Sequence, residues 1–184
     1  MTTEQWQAPL TLEDRLAELA KARAELMAVL ENTPAEPETG TSDRWSVAEI
    51  VYHLHLAEKS ITRMLQKAIR SGPRQARASE EFLRTEWERI RSLVGSREHP
   101  ATAPPAALPT DAPPLAEALA RLNESRRELL ELLGTVSLDD LASVSMPHPF
   151  EAIGTVTGAG WLSIIAQHEL RHAEQIREIT SRRK

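Results

Sequence analysis

Four long segments of this chain carry apolar residues every three or four positions, and no sheet is visible between them. That spacing is the helix period, so each segment has one stripe to bury against the others. The first follows Thr11, which caps a helix with Asp14 three residues on. Its stripe is Leu12, Leu16, Leu19, Ala20, Leu26, Met27 and Leu30, interrupted by Arg23. Arg23 is expected to snorkel or to meet an acidic partner, with a pocket role as the alternative. Two prolines and a glycine in Asn32 to Gly40 break this helix, and Thr33 to Asp43 reads as a loop. Ser46 and Glu49 repeat the capping pattern and open a second helix that runs to about Arg70 and stops at Ser71, Gly72 and Pro73. A third main helix spans Leu115 to Leu133 and ends at Gly134, and the last opens at Thr157 or Gly158 and runs to about Thr180. Ser79 to Val94 is a smaller, charged helix, and Ser137 to Leu141 one short helical turn. The stretch from His99 to Pro114, rich in Pro and Ala, reads as a connector or strap.

The fold class is therefore all-α: a four-helix bundle with a long crossover and a short extra helix, as one domain over 1–184 with its core at about 12–180. The 184 residues suffice for one sizeable core. No apolar run is long enough for a bilayer, the N-terminus does not read as a signal peptide, and a cytoplasmic location is expected. The absence of cysteine excludes thiolate nucleophiles and cysteine-held metals, so any ion must rest on His, Asp or Glu. The net charge of -5 has both signs spread along the chain, which gives nucleic acid no basic footprint.

The chemistry concentrates in the last helix. His168 and His172 stand four apart, hence one turn apart on one face. With about 100 degrees per residue, Trp161, Ile164, Ile165, Gln175, Ile176 and Ile179 share that face, so both imidazoles enter the core. Two buried imidazoles need partners for four ring nitrogens, or a metal. The second helix supplies a third candidate: His53 lies at the edge of its apolar stripe, whereas His55 points away and is expected in solvent. The string His168-Glu169-Leu170-Arg171-His172 also fits the zinc-protease pattern HExxH, but without a sheet edge to bind a peptide. His148, before Pro149, is a fourth-ligand candidate or shapes the pocket mouth. His99 is expected to be exposed.

These residues form a pattern that resembles the DinB/YfiT-like family of metal-binding four-helix bundles. The matching residues are Trp45-Ser46, His53-Leu54, His148-Pro149, Gly154, Thr157-Gly158, Trp161-Leu162, and the closing His168, Glu169, His172, Gln175 and Ile176. The resemblance spans about Leu12 to Thr180. It implies His53, His168 and His172 as ligands, nickel or zinc as the usual metal, a long connection after the second helix, and a homodimer. Relatives include thiol-dependent transferases using low-molecular-weight thiols, maleylpyruvate isomerases and hydrolases.

Three functions compete. In a thiol transferase the metal holds a thiolate, and Arg171, Arg63 or Arg44 serves a sugar-bearing cofactor, Arg171 being nearest by the wheel. In a hydrolase, metal-bound water attacks a small amide or ester, with Glu169, Glu49 or Glu58 as base. Glu49 also has its capping role. In a non-catalytic binding module the ion serves stability. Glu169 and Arg171 are the expected catalytic residues, and a small molecule the expected substrate. Trp161 is expected to fill the core, Trp45 to staple the second helix, and Trp6 or Trp87 to cover a dimer face.

Overall fold

The computed structural model describes residues 7–33, 45–97 and 102–181. Four bundle helices dominate: α1 (Leu12–Glu31), α2 (Val47–Ser71), α4 (Leu115–Leu133) and α6 (Gly158–Ser181). Between α2 and α4 lie α3 (Glu80–Ile90), a π-helical continuation at Arg91–Gly95, and a single 3-10 turn at Pro105–Ala107. A short α5 (Leu138–Ala142) precedes strands β1 (Ser145–Pro147) and β2 (Thr155–Thr157). Among the described residues no helix is long and apolar enough to cross a membrane. Arg44, His99, Trp6 and most of the loop expected at Thr33 to Asp43 lie outside the described residues.

The helix starts follow their caps. Thr11 with Asp14, and Ser46 with Glu49, form complete capping boxes, and Ser137 with Asp140 forms a third. The pairing of helices is α1 with α6 and α2 with α4, and α6 also packs on α2 and on α3 with its continuation. The long crossover lets α2 and α4 be neighbours although they are joined by more than forty residues.

The expectation of no strand needs correction. β1 and β2 pair antiparallel, with Met146 opposite Val156. The pair is three residues long, too short for a period to show, and Gly154 closes its turn at φ 70, a backbone state that favours glycine. The sheet leads directly into α6. Thr157 Oγ1 accepts from the Gly160 amide at 2.9 Å, while the buried Glu86 carboxylate accepts from the Thr157 amide at 2.8 Å. An acidic group at a helix N-terminus is favourable there. A Cβ at Gly160 would stand 2.5 Å from that carboxylate, so this position needs glycine.

The core is divided. One apolar cluster contains Leu19, Leu65, Leu129, Leu162 and Ile165; the other contains Leu26, Ile50, Leu54, Leu122 and Ile176. Between them each bundle helix contributes one charged residue: Arg23 from α1, Glu58 from α2, Arg126 from α4 and Glu169 from α6. Arg23 Nη2 is 3.1 Å from Glu58 Oε2 and 2.6 Å from Glu169 Oε1. Arg126 Nε is 2.5 Å from Glu58 Oε1, and its Nη2 is 3.1 Å from Glu169 Oε1. The layer is formally neutral, which is the condition for burying four charges. Arg23, which breaks the α1 stripe in sequence, thus finds two acidic partners.

Candidate metal centre

Beside this layer, α2 and α6 bring three imidazoles together. His53 and His172 are buried and His168 is nearly so. His168 Nε2 lies 3.1 Å from His53 Nε2 and 3.0 Å from His172 Nε2. The rings meet edge to face with centroids 4.6–5.0 Å apart. One donor atom from each residue lies within 4.8 Å of the others.

The outer ring nitrogens set the chemistry of the inner ones. His53 Nδ1 is 2.6 Å from the Ala107 carbonyl in the crossover strap. A carbonyl only accepts, so Nδ1 carries the proton and Nε2 keeps its lone pair. His172 Nδ1 is 2.7 Å from Gln175 Oε1, which fixes the same tautomer. Two inner nitrogens are therefore acceptors, and His168 Nε2 has at most one proton to give between them. At least one of the two close N···N contacts then sets lone pair against lone pair. A divalent cation resolves this. Two nitrogens at the usual 2.0–2.1 Å from one ion stand roughly 3.0–3.4 Å apart, which matches the two spacings at His168 Nε2. The donor set fits a metal ion.

The imidazoles are also in the protonation state a metal requires. Burial, chiefly, pushes His53 below the ordinary histidine range, against the opposing Ala107 carbonyl. Burial and then His172 push His168 well below it, and burial and then His53 bring His172 to about 3. His55 and His148 are also lowered by burial. In the unfolded chain such groups titrate near 6.5. Below that pH the unfolded chain takes up protons that the folded chain refuses. Stability of the metal-free protein is therefore full above about pH 6.5 and is lost as pH falls from there toward about 3. The expected slope is about 1.4 kcal/mol per pH unit for each histidine held neutral. Glu58, raised by burial first and by Glu169, acts in the opposite sense near its own titration. Urea unfolding of chelator-treated protein between pH 7 and 5 measures the slope, and a flat profile would contradict this linkage.

The structure places the other expected site residues differently from one another. Glu49 Oε2 accepts from the Ser46 amide at 2.7 Å and serves the cap. Glu58 and Glu169 are buried in the charged layer and are not among the donors clustered within 4.8 Å. Arg171 donates to the Ser96 carbonyl just after the α3 continuation, and its charge helps lower both α6 histidines. Arg63 is exposed on α2, ten residues beyond His53, hence about 15 Å along the helix. His148 is outside the cluster: its Nδ1 accepts from the Phe150 amide at 3.0 Å, and its ring stacks on Trp161 at 5.1 Å. Trp161 is buried as expected.

Two expectations are corrected. His55 is 6% exposed, not solvated. It stacks on Tyr52 at 5.7 Å and meets the Arg121 backbone of α4, because α2 is covered on more than one side. Trp87 does not cover a dimer face: it is buried within the chain, and its Nε1 donates to Glu18 Oε1 at 2.8 Å. Two contributors escaped sequence reasoning. The Ala107 carbonyl carries no side-chain signal. Trp45, read as a staple, also walls the site, its ring 4.8 Å from His53 and 6.4 Å from His172.

Comparison with known proteins agrees with this architecture. A family model described as the DinB superfamily matches residues 18–176. The uncharacterized protein YuaE of Bacillus subtilis (strain 168) is 24% identical over 139 residues, 76% of this chain and 79% of that one. A solved structure, TT2238, described as a four-helix bundle protein, superposes with a TM-score of 0.57 at 24% identity, covering 91% of this chain and 98% of that chain. At that identity the likeness shows the fold.

Proposed function

The chain belongs to the DinB superfamily, and from that premise we propose that it is a divalent-metal-dependent enzyme of the thiol-transferase type acting on a small molecule. His53, His168 and His172 would hold the ion, nickel or zinc. The ion supplies one thing: it favours the thiolate form of a low-molecular-weight thiol at neutral pH. The sulfur's electron pair then forms the new S–C bond, the leaving group departs with its own pair, and the thiol proton goes to solvent. The chain's residues do the rest. The Ala107 carbonyl and Gln175 orient two of the ligands. Trp45 forms an aromatic wall that keeps water from one side and gives the substrate an apolar face. Arg171 adds positive charge near the site, which suits an anionic sulfur.

The observation that favours thiol transfer over hydrolysis is the state of the carboxylates. A hydrolytic base needs a carboxylate within hydrogen-bond reach of the attacking water. Glu49 Oε2 is engaged by a backbone amide, both Glu58 oxygens and Glu169 Oε1 are engaged by Arg23 and Arg126, and Glu169 Oε2 is buried. Among the described residues no carboxylate joins the three imidazoles. Thiol transfer calls for no such base, because the ion, when bound, would favour the thiolate at neutral pH.

The test loads the protein with zinc or nickel and follows conjugation of a generic aromatic halide with a small sugar-bearing thiol. Conjugation that needs both metal and thiol, and is lost on His53→Ala, is the expected result. Cleavage of an activated ester without thiol would move the assignment to hydrolysis. Bound metal with neither activity would leave a metal-stabilised binding module. The same reading includes a homodimer, as the family resemblance suggests, and a cytoplasmic location; sedimentation tests the dimer element.

A further inference from the structure

His53 and His172 each have an acceptor on the outer ring nitrogen, but among the described residues no protein group meets His168 Nδ1. A small cavity of about 10 Å³ adjoins that ring. Its walls include the apolar Leu54, Ala57 and Ile165, and three polar residues reach it: His168, Glu58 and Glu169. Both oxygens of Glu58 are engaged, by Arg126 on one side and Arg23 on the other. In Glu169 only Oε1 is engaged, by Arg23 and Arg126. Its Oε2 is buried with no hydrogen-bond partner.

A buried carboxylate oxygen without a partner is costly, and native interiors satisfy such atoms with ordered water when space allows. The cavity is the size of one water. We infer that one structural water occupies it, accepting from His168 Nδ1–H and donating to Glu169 Oε2, so that Glu169 is a positioning residue for the metal centre. The inference rests on the three histidines being metal ligands. It gives His168 what Ala107 and Gln175 give the other two: an acceptor that fixes the Nδ1–H tautomer and turns the Nε2 lone pair toward the ion. It also links the metal centre to the charged layer. Arg23 and Arg126 hold Glu169 Oε1 and so aim the carboxylate, and the water carries that orientation to the ring. Glu169 thereby acts through His168, not on substrate.

The experiment uses two variants of the full chain. Glu169→Gln removes the charged acceptor. Ala57→Val fills the cavity with two extra carbons and leaves every charge and ligand in place, so it carries the test where Glu169→Gln does not fold. Zinc affinity is measured by chelator competition, the cobalt-loaded absorption bands are recorded, and parent and Ala57→Val are crystallised at high resolution. Support is a water between His168 Nδ1 and Glu169 Oε2 in the parent but not in Ala57→Val, together with zinc binding weakened about tenfold or more and shifted cobalt bands. A parent that binds zinc while folded Ala57→Val binds it within about twofold, with unmoved bands, overturns the water link alone. A dry cavity in the parent crystal also overturns it. A parent that binds no zinc overturns the metal reading itself, and the inference with it.

Discussion

Arg126→Ala is expected to lower the unfolding free energy by about 3–5 kcal/mol. Arg126 is 8% exposed and is one of two cations between two buried carboxylates. Its removal leaves Glu58 and Glu169 with Arg23 alone, in a layer flanked by apolar clusters above and below. Glu58 already resists ionisation through burial and through Glu169 beside it. Losing Arg126 strips away its largest compensating charge and a hydrogen bond to the Leu19 carbonyl. The cost is that of an unbalanced buried charge, not of the ion pair. Arg126→Met combined with Glu58→Leu keeps the layer neutral and is therefore expected to recover most of the loss. Denaturant unfolding with unchanged m-values measures both. A loss below about 1 kcal/mol for the single variant would show that solvent compensates the unpaired charge.

The second large effect is on metal binding. His172→Ala removes one of three ligands and its Gln175 contact. Zinc binding is expected to weaken by about a thousandfold, roughly 4 kcal/mol. Zinc at about a thousand times its dissociation constant adds about 4 kcal/mol to the folded state of the parent. The same zinc concentration is expected to add little to the variant. Thermal unfolding with and without zinc reads the difference directly. Equal stabilisation of both proteins would place the ion elsewhere.

The bundle was legible because its signals are local. Caps at Thr11 and Ser46, breakers at Ser71 to Pro73 and Gly134, and a sustained helical period mark the helices within a few residues. The triad was legible for a related reason. His168 and His172 share a face by spacing alone, and the wheel ranked His53 ahead of His55. The same wheel failed for His55's burial, because a wheel describes one stripe while α2 touches α4, α6 and the strap. What stayed hidden depends on contacts between distant residues. Nothing local pairs Arg23 with Glu169, 146 positions away, or Trp87 with Glu18. The Ala107 contribution is a backbone atom, which no residue type announces. The β1–β2 pair is shorter than any pattern that could reveal it. Glu169 shows the limit most plainly. The HExxH string points to a base, and the fold instead ties its carboxylate to two arginines.

The central claim is that His53, His168 and His172 form one metal site. Elemental analysis tests it most directly, on protein purified without chelator or nickel resin, beside a variant with all three changed to Ala. The account predicts about one divalent ion per chain in the parent and none in the variant. No metal in the parent, even after incubation with zinc, nickel and manganese, would contradict it.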